Sequence, residues 1–404
     1  MKVDTHADIF QKCYDFHEAD QAREEGWYPY FRPIQENRGS RVVIDGREMI
    51  MAGSNNYLGL AMDARVKEAA RAAIAKYGTS CSGSRFMNGT FDEHEELERS
   101  LAEFVGMEAA LCFTTGYQTN LGAISALLGP KDYLFTDKYN HASIMDGIFM
   151  ASGIHRTATI LRYKHNNMED LERALRRAPA ESPKLIVSDG VFSMEGDIVK
   201  LPEMKEIADR YGARVYIDDA HSMGVIGENG GGTLDHYGDV NLCDLLMCTF
   251  SKSFGSIGGF IAGAADVIDY IRHFARPLIF SASMSPPNTA AARASLEIIR
   301  TEPERVHRLQ AIARKMIDGF SSIGFDVGHT VTPIVPLHIG DYDKTFLFWR
   351  ALFAAGIYVN PVISPAVPPN RSLIRTSFMA IHTDDELDQI LEVSEREAKR
   401  LGII

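Results

Sequence analysis

RVYIDDAHS, residues 214–222, is a short apolar run that breaks off into two carboxylates and a histidine. LLMCTFSKSFG, residues 245–255, repeats the pattern with a lysine, Lys252, just past the apolar run. Similar runs recur at Ala109–Phe113, Tyr133–Phe135, Thr157–Leu161, Leu185–Val187 and Gly259–Ala262, with helical stretches between most of them. Runs without a polar face that alternate with helices predict an α/β fold, a mostly parallel central sheet with helices on both faces. Ligands of such sheets bind beyond the carboxyl ends of the strands. Asp218 and Lys252 are therefore predicted to face one crevice.

The rest of the chain is organised around this core. Asp45-Gly46 predicts a hairpin between Arg41–Ile44 and Arg47–Met51. Asp63 is expected to cap a helix that runs through Tyr77 and stops at Gly78. Asp92 and Glu95 are read as a capping box for a helix ended by Gly106. Long helices over about 287–301 and 303–322 precede strands at Ile334–Leu337, Ile357–Val359 and Leu373–Ser377. We therefore divide the chain into an N-terminal arm with a small strand region (1–60), a large cofactor-binding α/β domain (61–290) and a smaller C-terminal α+β domain (291–404). The 404 residues carry 42 Lys and Arg against 54 Asp and Glu, a net charge of −12. A basic stripe is missing, which argues against nucleic acid. Five scattered cysteines, an odd number with no CxxC pair, argue against a disulfide scaffold and against a zinc site, and fit a reducing cytosol. The N-terminus lacks an apolar signal core and no run spans a bilayer, so a cytoplasmic protein without a transmembrane segment is expected.

A lysine just after a buried strand stands where its pKa can fall, and a neutral amine there can form a Schiff base. Gly116 and Tyr117 lie where the run ALCFTTG meets a helix, a junction that offers free backbone N–H groups to a phosphate. Thr249 and Ser251 add hydroxyls beside Lys252. Phosphate donors, an acid and a lysine together describe a pyridoxal 5′-phosphate (PLP) site, in which the carboxylate of Asp218 would keep the pyridine nitrogen protonated. GSIGG after Lys252 has neither the spacing nor the context of a dinucleotide fingerprint.

Eight segments carry a resemblance: SNNYLGLA (54–61), YGTSCSGSRFMNGTFDEHEELE (77–98), TTGYQTN (114–120), NHASIMDG (140–147), SDGVFSMEGD (188–197), IDDAHSMG (217–224), TFSKSFGSIGG (249–259) and LIRTSFMAIHT (373–383). With these the chain resembles the α-oxoamine synthases, a branch of the fold-type I PLP enzymes. The resemblance implies that Lys252 carries the cofactor and later moves a proton. It gives Asp218 the pyridine nitrogen, His221 and Ser193 the phenolic oxygen, and His141 the ring face. Gly116, Tyr117, Thr249 and Ser251 are implied at the phosphate. Arg375 is implied to hold the amino-acid carboxylate, with Asn55 or Asn56 as second choices. Ser281 and Ser283 are implied to reach a phosphate across a homodimer interface.

The family joins an amino acid to an acyl-CoA with loss of CO2. Residues 77–98 and 360–383 look most like those of bacterial serine palmitoyltransferases, which implies L-serine and palmitoyl-CoA as substrates and 3-ketosphinganine as product. Some of that group carry an arginine where this chain has Ile363. The lipid product implies transient contact with a membrane surface, although the acidic balance opposes steering to anionic lipid. Two rivals stay open: a glycine-using enzyme such as aminoketobutyrate ligase, and a non-catalytic partner subunit.

Overall fold

The computed structural model describes residues 7–155, 158–364 and 366–404. Its centre is a seven-stranded sheet. In chain order the strands are β1 (Ala109–Phe113), β2 (Tyr133–Asp137), β3 (Thr159–Tyr163), β4 (Lys184–Asp189), β5 (Arg214–Asp218), β6 (Leu245–Thr249) and β7 (Gly259–Gly263). Across the sheet they lie in the order β1-β7-β6-β5-β4-β2-β3. β7 is antiparallel to both neighbours and every other pair is parallel.

Each strand feeds two cores because successive side chains point to opposite faces. In β5, Val215 and Ile217 join one apolar cluster and Tyr216 joins the other. In β6, Leu246 and Cys248 separate from Leu245 and Met247 in the same way. β6 and β7 are buried at every residue, so neither has a polar face.

Several strands run past their last apolar residue to an aspartate. Asp137 ends β2 and accepts the backbone N–H groups of Tyr139 (2.8 Å) and Asn166 (2.7 Å). Asp218 ends β5 and accepts the N–H of Ala220 at 3.0 Å. These carboxylates turn the chain out of the sheet. Hydropathy alone stops one residue or more short of them. The expected run at Thr157–Leu161 begins as a strand at Thr159 and continues to Tyr163, while Thr157 lies outside the described residues.

The hairpin forms as read, with Asp45 and Gly46 at φ +51° and +72°. Asp63 caps Ala64–Tyr77, which ends at Gly78. The second cap is shifted by one residue. Phe91 is the N-cap of Asp92–Val105, and the Nδ1 of His94, not Glu95, accepts the N-cap N–H at 3.0 Å. Asp92 becomes the first helical residue, where its charge still favours the positive helix end.

The smaller layer is assembled from both ends of the chain. Ile334–Gly340, Ser372–Ser377 and Asn360–Val362 form an antiparallel sheet. Ile357–Tyr358 leaves that group and pairs in parallel with Ile50 and Met51 of the N-terminal hairpin. The hairpin offers a free edge there, and an edge recruits a partner whatever its place in the sequence. Helix Pro286–Thr301 crosses residue 290 and packs on Ala64–Tyr77 and Asp92–Val105 of the large layer. Among the described residues no helix is long and apolar enough to cross a membrane.

Candidate active site

β4, β5 and β6 end at one cavity of about 290 Å³. Gly116, Tyr117, His141, Asp218, His221, Thr249, Ser251 and Lys252 all line it. These are the residues that the two strand-end motifs and the helix junction point to. The cavity therefore gathers residues spread over more than a third of the chain.

Lys252 sits in the turn after β6, and among the described residues only charges at a distance act on its amine. Burial drives its pKa from 10.5 down to about 8, against the pull of Asp218. Asp218 is buried and both its oxygens are occupied. Oδ2 accepts from the Asn120 amide at 2.7 Å and Oδ1 from the Ala220 N–H. Asn120 also donates to Ser143 Oγ at 2.8 Å and accepts from the Tyr216 hydroxyl at 2.7 Å. Ser143 in turn bonds His141 Nδ1 at 2.7 Å, and its backbone N–H points to the same nitrogen at 3.2 Å. That N–H can only donate, which makes Nδ1 an acceptor and places the ring proton on Nε2. Desolvation by the surrounding protein, aided by Lys252 and opposed by Asp218, lowers the His141 pKa and keeps the ring neutral.

His221 is buried, with Nδ1 2.7 Å from the Tyr57 hydroxyl. Burial, then the charges of Lys252 and Arg375, push its pKa well below the ordinary value. Tyr57 continues the line, since Arg375 reaches its hydroxyl at 3.5 Å. Arg375 is itself buried on strand Ser372–Ser377 and donates from Nε to the Ser193 carbonyl at 2.7 Å. Its other neighbours are the hydroxyls of Ser377 and Tyr57, and no carboxylate of the described residues pairs with it. A buried guanidinium without an anion is costly and calls for one.

The opposite end of the cavity suits a phosphate. Thr115 caps helix Gly116–Leu127 by accepting the Gln118 N–H at 3.1 Å, which leaves the N–H groups of Gly116 and Tyr117 for a ligand. A Cβ on Gly116 would stand 2.6 Å from Thr249 Cβ and Oγ1, so only glycine lets the helix begin this close to β6. Thr249 Oγ1 and Ser251 Oγ lie 2.8 Å apart beside it. Tyr117 directs its hydroxyl away, to Asp146. Free N–H donors and hydroxyls at one end, a carboxylate at the other and a lysine of lowered pKa between them fit PLP.

The remaining predicted residues stand outside this lining. Ser193 meets Arg375 through its backbone carbonyl. Asn56 Oδ1 accepts the Ala61 N–H at 3.3 Å, whereas Asn55 Oδ1 accepts from Tyr57, which leads towards Arg375. Ser281 accepts from Gln118 at 3.0 Å, and Ser283 donates to the Gly83 carbonyl at 3.0 Å. Sequence reasoning passed over Asn120, Ser143, Tyr57 and Asp189. Asp189 carried a usable signal, because it ends the run KLIVSD as Asp218 ends RVYID.

Residues 47–393 match the family model described as aminotransferase class I and II. A serine palmitoyltransferase of Sphingobacterium spiritivorum is 50% identical, with 98% of each chain covered. Another, from Bacteroides ovatus, is 46% identical over 94% of this chain and 95% of its own. A solved serine palmitoyltransferase from S. paucimobilis, with a bound PLP–myriocin aldimine, superposes at a TM-score of 0.94 and 36% identity, covering 98% of this chain and 100% of that one. The cavity and these full-length likenesses place the chain in the aminotransferase class I and II family as a fold-type I, PLP-dependent α-oxoamine synthase.

Proposed function

We propose that the protein condenses L-serine with a long-chain acyl-CoA such as palmitoyl-CoA, releasing CO2 and CoA and giving 3-ketosphinganine, the first step of sphingolipid synthesis. The observation that carries this reading is Arg375, a buried cation one hydroxyl away from the Lys252 cavity and paired with no carboxylate among the described residues. An amino-acid carboxylate is the anion that fits. The 45–50% identity to serine palmitoyltransferases along nearly the whole chain supports serine as that amino acid. The test is kcat/KM for serine with palmitoyl-CoA against glycine with acetyl-CoA. A higher value for the glycine pair overturns the substrate and leaves the cofactor site standing.

PLP, when bound, supplies an electron sink for the charge left on the serine Cα. Lys252 would hold its aldehyde carbon, Asp218 its ring nitrogen, His221 its phenolic oxygen, and Gly116, Tyr117, Thr249 and Ser251 its phosphate. Lys252 has a pKa of about 8, so it can both take and return a proton at Cα near neutral pH. His141, neutral and with its proton on Nε2, donates into the cavity and polarises the thioester carbonyl. Arg375 fixes the serine carboxylate, with Asn55 alongside.

Arg375→Ala is expected to lower kcat/KM for serine about ten- to a hundredfold, the loss of a charge-assisted contact worth roughly 1.5–3 kcal/mol. PLP content and the KM for acyl-CoA should hold. A variant that loses PLP instead would assign Arg375 to the cofactor.

The depressed lysine pKa gives a pH test. Only the neutral amine captures the aldehyde. Capture of PLP by apoprotein should rise with pH to a midpoint near 8, where an ordinary lysine would rise near 10.5. Stopped-flow absorbance reads the midpoint, and a value near the ordinary one contradicts the burial argument.

We also propose a homodimer with its sites at the interface. Phe86, Met87 and Phe280 are 54%, 77% and 74% exposed, and they flank the loops that hold Ser281 and Ser283. Three large apolar side chains in water beside a phosphate site suit a partner surface. Active enzyme should sediment as a dimer, and an active monomer at assay concentration would refute this. We place the enzyme in the cytosol, handing its lipid product to a membrane surface. Its five free thiols support a reducing compartment.

A further inference from the structure

Asp189 ends β4 directly beside Asp218, and the two Cα positions are partners in the parallel register. Paired positions on adjacent strands send their side chains to the same face. Both residues line the cavity. Their environments differ. Asp218 has a donor on each oxygen. Asp189 is 3% exposed, and among the described residues its Oδ1 has no hydrogen-bond partner. A buried acceptor left bare is costly, whereas a protonated carboxyl with its O–H aimed at a ligand is not. Two carboxylates at neighbouring strand ends also resist sharing two charges.

We propose that Asp189 is a second acid of the cofactor site, a neutral carboxyl whose O–H donates into the cavity and leaves Asp218 the single anion there. This rests on the reading of the cavity as the PLP site. The groups that face Asp189 are Asp218 from β5, Lys252 from the turn after β6, Asp137 from β2 and the backbone N–H of His141. Burial and the charge on Asp218 push its pKa well above the ordinary value, and Lys252 and the His141 N–H oppose them without reversing the shift. A neutral neighbour keeps the negative potential concentrated on Asp218, where the ring nitrogen needs it. Asp219, next in sequence, is a different case, since the backbone N–H and the hydroxyl of Thr233 both satisfy it.

The experiment compares wild type, Asp189→Asn and Asp189→Ala. It reads the dissociation constant of PLP from each apoprotein and the pH midpoint of the visible absorbance of the bound cofactor. Asparagine is neutral, of the same size and still a donor. It should keep the wild-type midpoint and hold the dissociation constant within about threefold. Alanine should weaken PLP about tenfold, the equivalent of one hydrogen bond lost at 1.4 kcal/mol. If Asp189 were ionised, asparagine would remove an anion near Lys252 and move the midpoint to lower pH, which overturns the proposal. Alanine with wild-type affinity overturns it too. Infrared spectra give an independent reading if a variant folds poorly. Wild type should show the carbonyl band of a buried protonated carboxyl that Asp189→Asn lacks, and a wild type without that band overturns the assignment. A wild type that shows no cofactor absorbance at all would instead sink the reading of the cavity itself.

Discussion

Lys252→Ala should remove condensation activity by at least about 10⁴-fold, the upper end of what a positioned proton-transfer group contributes. The loss is this large because one amine serves two ends, holding the cofactor and moving the Cα proton. Among the described residues no other lysine lines the cavity to replace it. The bound-cofactor absorbance of the wild type should vanish from the variant. Borohydride reduction of the wild type followed by peptide mapping should place the label on Lys252, and a label on another lysine would overturn the assignment. The variant should still fold. Its apoprotein should melt higher than that of wild type, because an amine whose charged form is desolvated by its surroundings is a burden on the fold.

The second large effect is expected from Asp218→Asn. The amide keeps the shape of the carboxyl but cannot hold a proton on the pyridine nitrogen by charge. The loss should be about 10²- to 10³-fold in kcat, or roughly 2.7–4 kcal/mol, as for other preorganised electrostatic groups. PLP content should fall little, because the phosphate end and Lys252 are untouched. The new side chain keeps one acceptor where the carboxylate had two, so its NH2 must face either the Asn120 amide or the Ala220 N–H, both of them donors. Facing Asn120, it forces that amide to turn and the change reaches Ser143 and His141 along the same hydrogen bonds; facing Ala220, it loses the backbone contact instead. Turnover like wild type at full PLP occupancy would contradict the role of Asp218.

Much of this was legible in the sequence, for reasons that differ by residue. The strand interiors could be read because both faces of the sheet are buried, so apolar runs such as LLMCT have no alternative home. Their ends could not, because Asp137 and Asp218 belong to the strands by hydrogen bonding and not by hydropathy. The cap at residue 92 was misplaced by one because both Glu95 and His94 stand three residues from a plausible N-cap, and only the fold chooses between them. Strand Ile357–Tyr358 gave its type but not its partner. Lys252 and Asp218 stood out as polar residues closing apolar runs. Asn120 did not, since its task consists of contacts to Ser143, Tyr216 and Asp218, the last 98 residues away. Arg375 was legible as a cation in need of an anion, and the structure adds that no carboxylate of the described residues supplies one.

The pairing of Ile357–Tyr358 with Arg47–Met51 has a consequence for how the chain is born. Asn360 closes the same region by donating to the Gly53 carbonyl, 307 residues back along the chain. A ribosome adding about 5–20 residues per second needs roughly 15–60 s to cover that gap. Throughout this interval the N-terminal hairpin has an edge with no strand to cover it. Arg47 and Glu48, both exposed at the start of that edge, put charge where a stray strand would otherwise pair. The large layer can fold in the meantime and hold Tyr57 through His221, but Arg375 has not yet been made. The nascent enzyme therefore completes its cofactor walls well before its amino-acid subsite, and a chain that stops short of residue 358 keeps those walls but lacks both the strand that covers the hairpin and Arg375.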